Sequence, residues 1–213
     1  MPGADSEETA LSIGEGEAGA GGEVPDRVAE TQIHGSLVDV AGIGVLILGP
    51  SGIGKSECVI ELVRRGQRLV ADDVVRLARD EEGRLIGWSP PHIRHFIEVR
   101  GLGLMSVADL FGTEATLDSC EVGFVVRLEA LGRGNQFERI GLERERETIL
   151  EGSIPMVRLP VHAASNLATL VELAIRDWQL RLQGVNAAER LDERLRATSG
   201  MLGSAGDGGG KEE

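Results

Sequence analysis

A chain of 213 residues is long enough for one medium domain with a core of its own. Its formal charge of −13 excludes a general attraction for nucleic acid or anionic membrane, and aromatics at 3%, with no tyrosine, leave the core to aliphatic side chains. Two cysteines without close spacing, Cys58 and Cys120, exclude a zinc cluster or a disulfide framework as the basis of the fold.

The charge is concentrated at the ends, with −7 in residues 1–30 and −2 in residues 199–213, which leaves −4 for 31–198. Residues 1–30, rich in Gly, Glu, Ala and Ser without an apolar period, read as a disordered acidic arm. Residues 199–213, with Gly208-Gly209-Gly210, read as a disordered tail. No basic segment followed by an apolar run opens the chain, and no stretch is apolar enough to span a bilayer. A cytoplasmic location without a membrane partner is expected.

The ordered part starts with an expected strand over Ile33–Val40. A turn at Gly42 and Gly44 leads to Val45–Leu48, an aliphatic run suited to a strand buried on both faces. A glycine loop then enters a helix over roughly Lys55–Arg65, with an apolar stripe of Val59, Leu62 and Val63 and with Gly66 placed to end it; Cys58 within it reads as a packed thiol. Leu69–Ala71 runs as a strand into Asp72-Asp73, and Val74–Ala78 and Leu85–Trp88 flank a hairpin turn at Glu82-Gly83. Val122–Leu128 and Met156–Val161 are further strands. Leu167, Leu170, Val171, Ala174, Trp178 and Leu182 recur at helical spacing through Asn166–Gln183. Gly184 interrupts, and Ala187–Ala197 resumes as a more charged helix. Strands mixed with helices and at least one hairpin give an α/β domain with a mixed sheet over 31–198.

The glycine loop carries the strongest chemical signal. Gly49-Pro50-Ser51-Gly52-Ile53-Gly54-Lys55-Ser56 satisfies G-x-x-x-x-G-K-[ST] between an apolar strand and an amphipathic helix, the P-loop arrangement for a nucleotide. Its glycines turn backbone N–H groups toward phosphate oxygens, and the helix N-terminus adds its positive end. Lys55 offers an ammonium to the β- and γ-phosphates, and the Ser56 hydroxyl is a Mg²⁺ ligand.

Two acidic stretches would complete such a site. Asp72-Asp73 ends a strand, where a carboxylate serves as metal ligand or general base; the plainer reading is an Asp pair that opens a turn. Glu98 and Arg100 share a face of an extended segment, as a Mg²⁺ ligand beside a phosphate-binding guanidinium or as a surface ion pair. Spacing alone singles out neither His34 nor Arg139.

Several separate motifs then agree in order and spacing. Ile33-His34-Gly35, Gly49–Ser56 and Arg65–Asp73 resemble the catalytic domain of HPr kinase/phosphorylase. So do Ile97-Glu98-Val99-Arg100-Gly101-Leu102-Gly103, Ser106–Gly112 and Glu138-Arg139-Ile140-Gly141-Leu142, and the likeness extends from about Thr31 to Gln183. The resemblance implies ATP on Gly49–Ser56, Mg²⁺ held by Ser56 and Glu98, and Asp73 taking the serine proton. It places Lys55, His34, Arg139 and Arg100 among the catalytic positions. It also implies a serine of the phosphocarrier HPr as acceptor, a homo-oligomer (a hexamer) and no nucleic-acid partner.

The chain departs from that family in three places. Where fuller members carry an N-terminal domain of more than a hundred residues, only the acidic arm stands, so regulation through that domain is expected to be absent. The segment that supports phosphate removal, usually like P-V-R-P-G-R-N, reads Pro160-Val161-His162-Ala163-Ala164-Ser165-Asn166. Two cations that would position inorganic phosphate are missing, so kinase activity is expected with weak or absent phosphorolysis. Gln67 replaces a common His and keeps the capacity for a hydrogen bond. The leading reading is an ATP- and Mg²⁺-dependent protein-serine kinase. The alternatives are a P-loop kinase for a small hydroxyl metabolite and a nucleotide-dependent sensor or scaffold.

Overall fold

The computed structural model describes residues 29–130, 145–162 and 165–204, with side chains to 196 in the last stretch. Gly35 divides the strand expected over 33–40 into β1 (Glu30–His34) and β2 (Ser36–Val40). A Cβ at Gly35 would lie 2.9 Å from the Ile47 carbonyl oxygen, so a side chain there would push the next strand away. Ala41 and Gly42, at φ 51° and 83°, make a two-residue turn into β3 (Ile43–Leu48). The glycine loop leads to α1 (Lys55–Arg64), and β4 (Arg68–Ala71) follows. β5 (Val74–Arg79) and β6 (Leu85–Trp88) form the expected hairpin.

A small separate sheet of β7 (Phe96–Val99) and β8 (Gly103–Ser106) comes next, then the short helix α2 (Val107–Phe111). β9 (Ser119–Ala130) is longer than the expected 122–128. β10 (Glu145–Ile149) and β11 (Gly152–Val161) form a hairpin through Leu150 and Glu151, at φ 46° and 62°. α3 (Leu167–Leu182) starts at Asn166, whose side-chain oxygen accepts the Thr169 N–H at 3.1 Å. α4 (Ala187–Ser204) continues past Ala197, where the sequence pattern ended, into the segment read as a tail.

The main sheet runs β1-β5-β6-β9-β3-β2-β4 and is mixed, as the sequence implied. β9 lies parallel to β3 on one edge. Its other edge is shared, with β6 antiparallel over Ser119–Glu121 and β11 parallel over Val125–Ala130. Between these partners the β3–β9 register shifts: Gly44 faces Val122 but Val45 faces Phe124, so Gly123 is an extra residue, a bulge. The bulge changes the phase of the strand, and Val122 and Val125 therefore fall in one core while Phe124, Val126 and Leu128 fall in the other.

Those cores lie on the two faces of the sheet. Val45, Ile47 and Phe124 meet Val59 and Leu62 of α1 and Val171 and Ile175 of α3, and the Phe124 ring lies 5.7 Å from that of Trp178. Leu46 and Leu48 point the other way, toward Val75 and Leu77 of β5, Leu85 of β6 and Ile149 of β10. Each fully buried aliphatic side chain contributes about 1.5–3 kcal/mol, so the alternation along β3 fixes which face of the strand meets which core. The C-terminal ends of β3 and β4 deliver the glycine loop and the two aspartates to one place.

Candidate active site

Gly54 is the N-cap of α1 at φ 105° and ψ 21°, a left-handed conformation that glycine adopts without strain. The loop before it bends at Gly52, φ 75°, where a Cβ would come 2.9 Å from the Arg100 guanidinium. The first turn of α1 therefore opens its free N–H groups toward the loop. Lys55 is buried, with 7% of its surface exposed, and its Nζ donates to the carbonyl oxygens of Gly49 (2.9 Å) and Pro50 (3.2 Å). Burial holds its pKa below that of an ordinary lysine, against the opposing pull of Asp72 and Asp73.

The two aspartates differ in environment. Asp72 is buried and accepts from the Ser36 hydroxyl at 2.6 Å on Oδ1 and from the Ser56 hydroxyl at 2.9 Å on Oδ2. Burial pushes its carboxyl up, and the two hydroxyl bonds work against that rise. Asp73 is the middle of a γ-turn: its φ is 66° and the Val74 N–H donates to the Asp72 carbonyl at 2.8 Å. Aspartate tolerates this left-handed backbone better than most residues, and the Gly35 N–H secures it by donating to the Asp73 carbonyl at 3.1 Å. The turn holds the Asp73 side chain in the open, 68% exposed, with Oδ1 3.0 Å from His34 Nδ1.

His34 closes the arrangement, because its Nε2 lies 3.2 Å from Lys55 Nζ. An ammonium can only donate, so Nε2 accepts, and the ring proton sits on Nδ1 and is donated to Asp73. Lys55, His34 and Asp73 thus form one hydrogen-bonded row. Nothing in the sequence pattern marked His34; the row explains its place.

Glu98, near the end of β7, and Arg100, in the turn beyond it, line the same open cavity of about 140 Å³ as His34, Lys55, Ser56 and the aspartates. Arg100 lies outside the strand, since the Leu102 N–H donates to the Val99 carbonyl at 2.9 Å and turns the chain into β8. The glycines of this stretch therefore form a turn. Arg139 lies outside the described residues, as do Ala163 and Ala164. Beside those alanines the His162 N–H donates to Ser165 Oγ at 3.0 Å, and Leu167 at the start of α3 packs toward Gly54. Gln67 uses its Oε1 to accept the Ala41 N–H at 2.9 Å, the hydrogen bond expected of it.

Asp72 and Ser36 are the site residues that the sequence reading did not single out for their geometry. The signal for Asp72 was present in the Asp72-Asp73 pair, but which of the two faces inward depends on the γ-turn. Ser36 gave no signal. Ser56, Asp72 and Glu98 offer hard oxygen donors of the kind Mg²⁺ takes. Among the described residues no three His, Cys, Asp or Glu side chains form a cation cage.

The chain matches the model of the HPr serine kinase C-terminal domain over residues 26–195. It is 47% identical over 165 residues to an HPr kinase/phosphorylase of Geobacillus thermodenitrificans and 45% identical over 165 residues to one of Bacillus licheniformis. Each alignment takes in 78% of this chain and 53% of the relative, so the chain spans about half the length of those proteins. The solved structure of the Hpr(Ser) kinase/phosphatase from Coxiella burnetii superimposes with a TM-score of 0.67 at 31% identity, covering 76% of this chain and 98% of that one. No helix among the described residues is long and apolar enough to cross a membrane. A P-loop on β3, paired aspartates after β4 and a match across most of its length place this chain in the family of the HPr serine kinase C-terminal domain.

Proposed function

We propose that the chain is a protein-serine kinase that transfers the γ-phosphate of ATP to a serine of an HPr-type phosphocarrier. The observation that carries this reading is the row Asp73–His34–Lys55, which sets an exposed carboxylate over a phosphate-binding loop. ATP would lie along Gly49–Ser56, with Lys55 Nζ leaving the Gly49 and Pro50 carbonyls for the phosphate oxygens. Ser56 and Glu98, with Asp72 behind Ser56, would hold Mg²⁺, which when bound offsets phosphate charge. Arg100, above Gly52, would steady the terminal phosphate, and Arg139 would act from the segment after β9. Asp73 would accept the serine proton as the serine oxygen bonds to the γ-phosphorus, the bond to the β-phosphate oxygen breaks and ADP leaves. His34 would keep the Asp73 carboxylate aimed at the acceptor.

A protein acceptor suits the rim of the site. Phe96 and Leu104 are exposed on β7 and β8, and Leu104 faces Glu98 directly across that hairpin. Exposed Leu173, Leu180 and Leu182 on α3 and Leu191 and Leu195 on α4 support self-association of the chain. The His162–Asn166 segment lacks the arginines that would bind inorganic phosphate, so phosphorolysis is weak or absent. The test incubates the protein with ATP, Mg²⁺ and HPr, then localises phosphoserine by mass spectrometry. It also offers phosphorylated HPr with inorganic phosphate. Phosphoserine with little pyrophosphate is expected. An unmodified HPr alongside a labelled small alcohol would overturn the protein acceptor, and rapid pyrophosphate release would overturn the loss of phosphorolysis.

A further inference from the structure

The junction of β1 and β2 touches both aspartates through three consecutive residues. His34 Nδ1 meets the Asp73 carboxylate at 3.0 Å, the Gly35 N–H donates to the Asp73 carbonyl at 3.1 Å, and the Ser36 hydroxyl donates to Asp72 Oδ1 at 2.6 Å. The first two contacts serve the exposed acid. The third serves the buried one.

Ser36 is fully buried, at 0% exposure, and faces away from solvent at the point where Leu37 pairs with Ala71 of β4. Its hydroxyl has one proton, and that proton goes to Asp72. With Oδ1 held, the plane of the Asp72 carboxylate is fixed, and Oδ2 is left to accept the Ser56 hydroxyl proton at 2.9 Å. A serine hydroxyl whose proton is committed to one side presents its lone pairs on the other. For Ser56 the open side is the cavity that Glu98 also lines.

We infer that Ser36 is a positioning residue for the cation–nucleotide site, acting through Asp72 to turn the Ser56 oxygen toward the ligand. Partners at one remove from a ligating group orient it and set its donor strength, and their loss commonly lowers metal affinity by about 10- to 100-fold. Ser36 reaches Ser56 through a single carboxylate, so its effect belongs at the lower end, about 10-fold. Free rotation of the carboxylate in its absence would let the Ser56 hydroxyl point into the cavity and offer a proton where a lone pair is needed.

The inference rests on the nucleotide-site reading alone and needs no particular acceptor, so the test is one of binding. Mn²⁺ serves as the probe, and its affinity for the protein–ADP complex is measured by electron paramagnetic resonance. Thermal melting of each variant accompanies the binding data. Ser36→Ala is expected to weaken Mn²⁺ binding about 10-fold, and Ser36→Thr, which restores a hydroxyl, to recover most of the loss. In a double-mutant cycle, Ser36→Ala in an Asp72→Asn background should add little, because an amide whose oxygen faces Ser36 presents an NH2 to Ser56, which cannot accept the Ser56 proton, and the relay is already broken.

A folded Ser36→Ala protein with wild-type Mn²⁺ affinity would overturn the inference. So would equal losses from Ser36→Ala and a folded Ser36→Thr, or fully additive losses in the cycle. Should Ser36→Ala not fold, the comparison of Ser36→Thr with Ser36→Val, which differ by a hydroxyl against a methyl, decides in the same way. A wild-type chain that binds neither ADP nor Mn²⁺–ADP would instead sink the nucleotide reading itself.

Discussion

Asp73→Asn isolates proton acceptance from everything else Asp73 does. Asparagine is among the residues that best tolerate the left-handed backbone at φ 66°, so the γ-turn and its bond from Gly35 survive. Its amide oxygen still accepts the His34 Nδ1 proton. Lys55, Ser56 and Asp72 keep their contacts, so ATP affinity should stay within about twofold. What is lost is a base. General-base catalysis contributes about 10²- to 10⁴-fold, and a loose phosphoryl-transfer transition state asks for proton removal late, which places the loss near 10². That is about 2.7 kcal/mol of barrier. The assay is the initial rate of phosphoserine formation on HPr at saturating ATP, with nucleotide affinity from fluorescence titration. Asp73→Ala, which puts a less tolerant residue at positive φ, should in addition lose about 1–2 kcal/mol of stability. A turnover loss below about 10-fold in Asp73→Asn would refute the assignment of the base.

Lys55→Met removes a buried cation, so transfer should vanish while the apo protein melts higher at pH 7. The sign follows from its lowered folded pKa. The unfolded chain binds the Lys55 proton more tightly, so the wild type recovers stability as pH rises through the folded value toward the ordinary 10.5, and the melting gap to Lys55→Met closes there. Phe124→Ala empties a fully buried site against Trp178 and should cost about 3–5 kcal/mol, or about 6–20 °C in melting temperature, with a red-shifted Trp178 emission. Burial pushes both thiols up to about 12, so Cys58 and Cys120 should resist alkylation at pH 8, where about one in 10⁴ is thiolate, until the protein is unfolded. Fast stoichiometric labelling of the native protein would contradict that.

The legible parts of the fold were those set by local chemistry. The aliphatic run at 45–48, the G-x-x-x-x-G-K-S loop and the stripe of Val59, Leu62 and Val63 each fix their own backbone, and the structure has them in place. The β10–β11 hairpin was not legible because Leu150 and Glu151 occupy left-handed positions without the Asn-Gly or Asp-Gly that usually mark them. The break at Gly35 was hidden too, since it answers to the approach of Ile47, a contact twelve residues along the chain. In the site, residue types could name Lys55, Ser56 and the pair Asp72-Asp73, and only the family resemblance chose Asp73 from the pair. They could not tell that Asp72 turns inward to two serines while Asp73 turns out to a histidine. That distinction is made by one dihedral angle and one N–H from the junction of β1 and β2.

The bulge at Gly123 constrains how this chain can change. Upstream of it β9 keeps time with β6, and downstream with β11, while on the opposite edge β3 pairs with Val122–Arg127 across the bulge. Deleting or adding one residue after Gly123 would exchange Phe124 with Val125 between the two cores and slide β11 against its neighbour at once. Length variation is thus confined to places such as the exposed Glu82-Gly83 tip, where no second strand is counting.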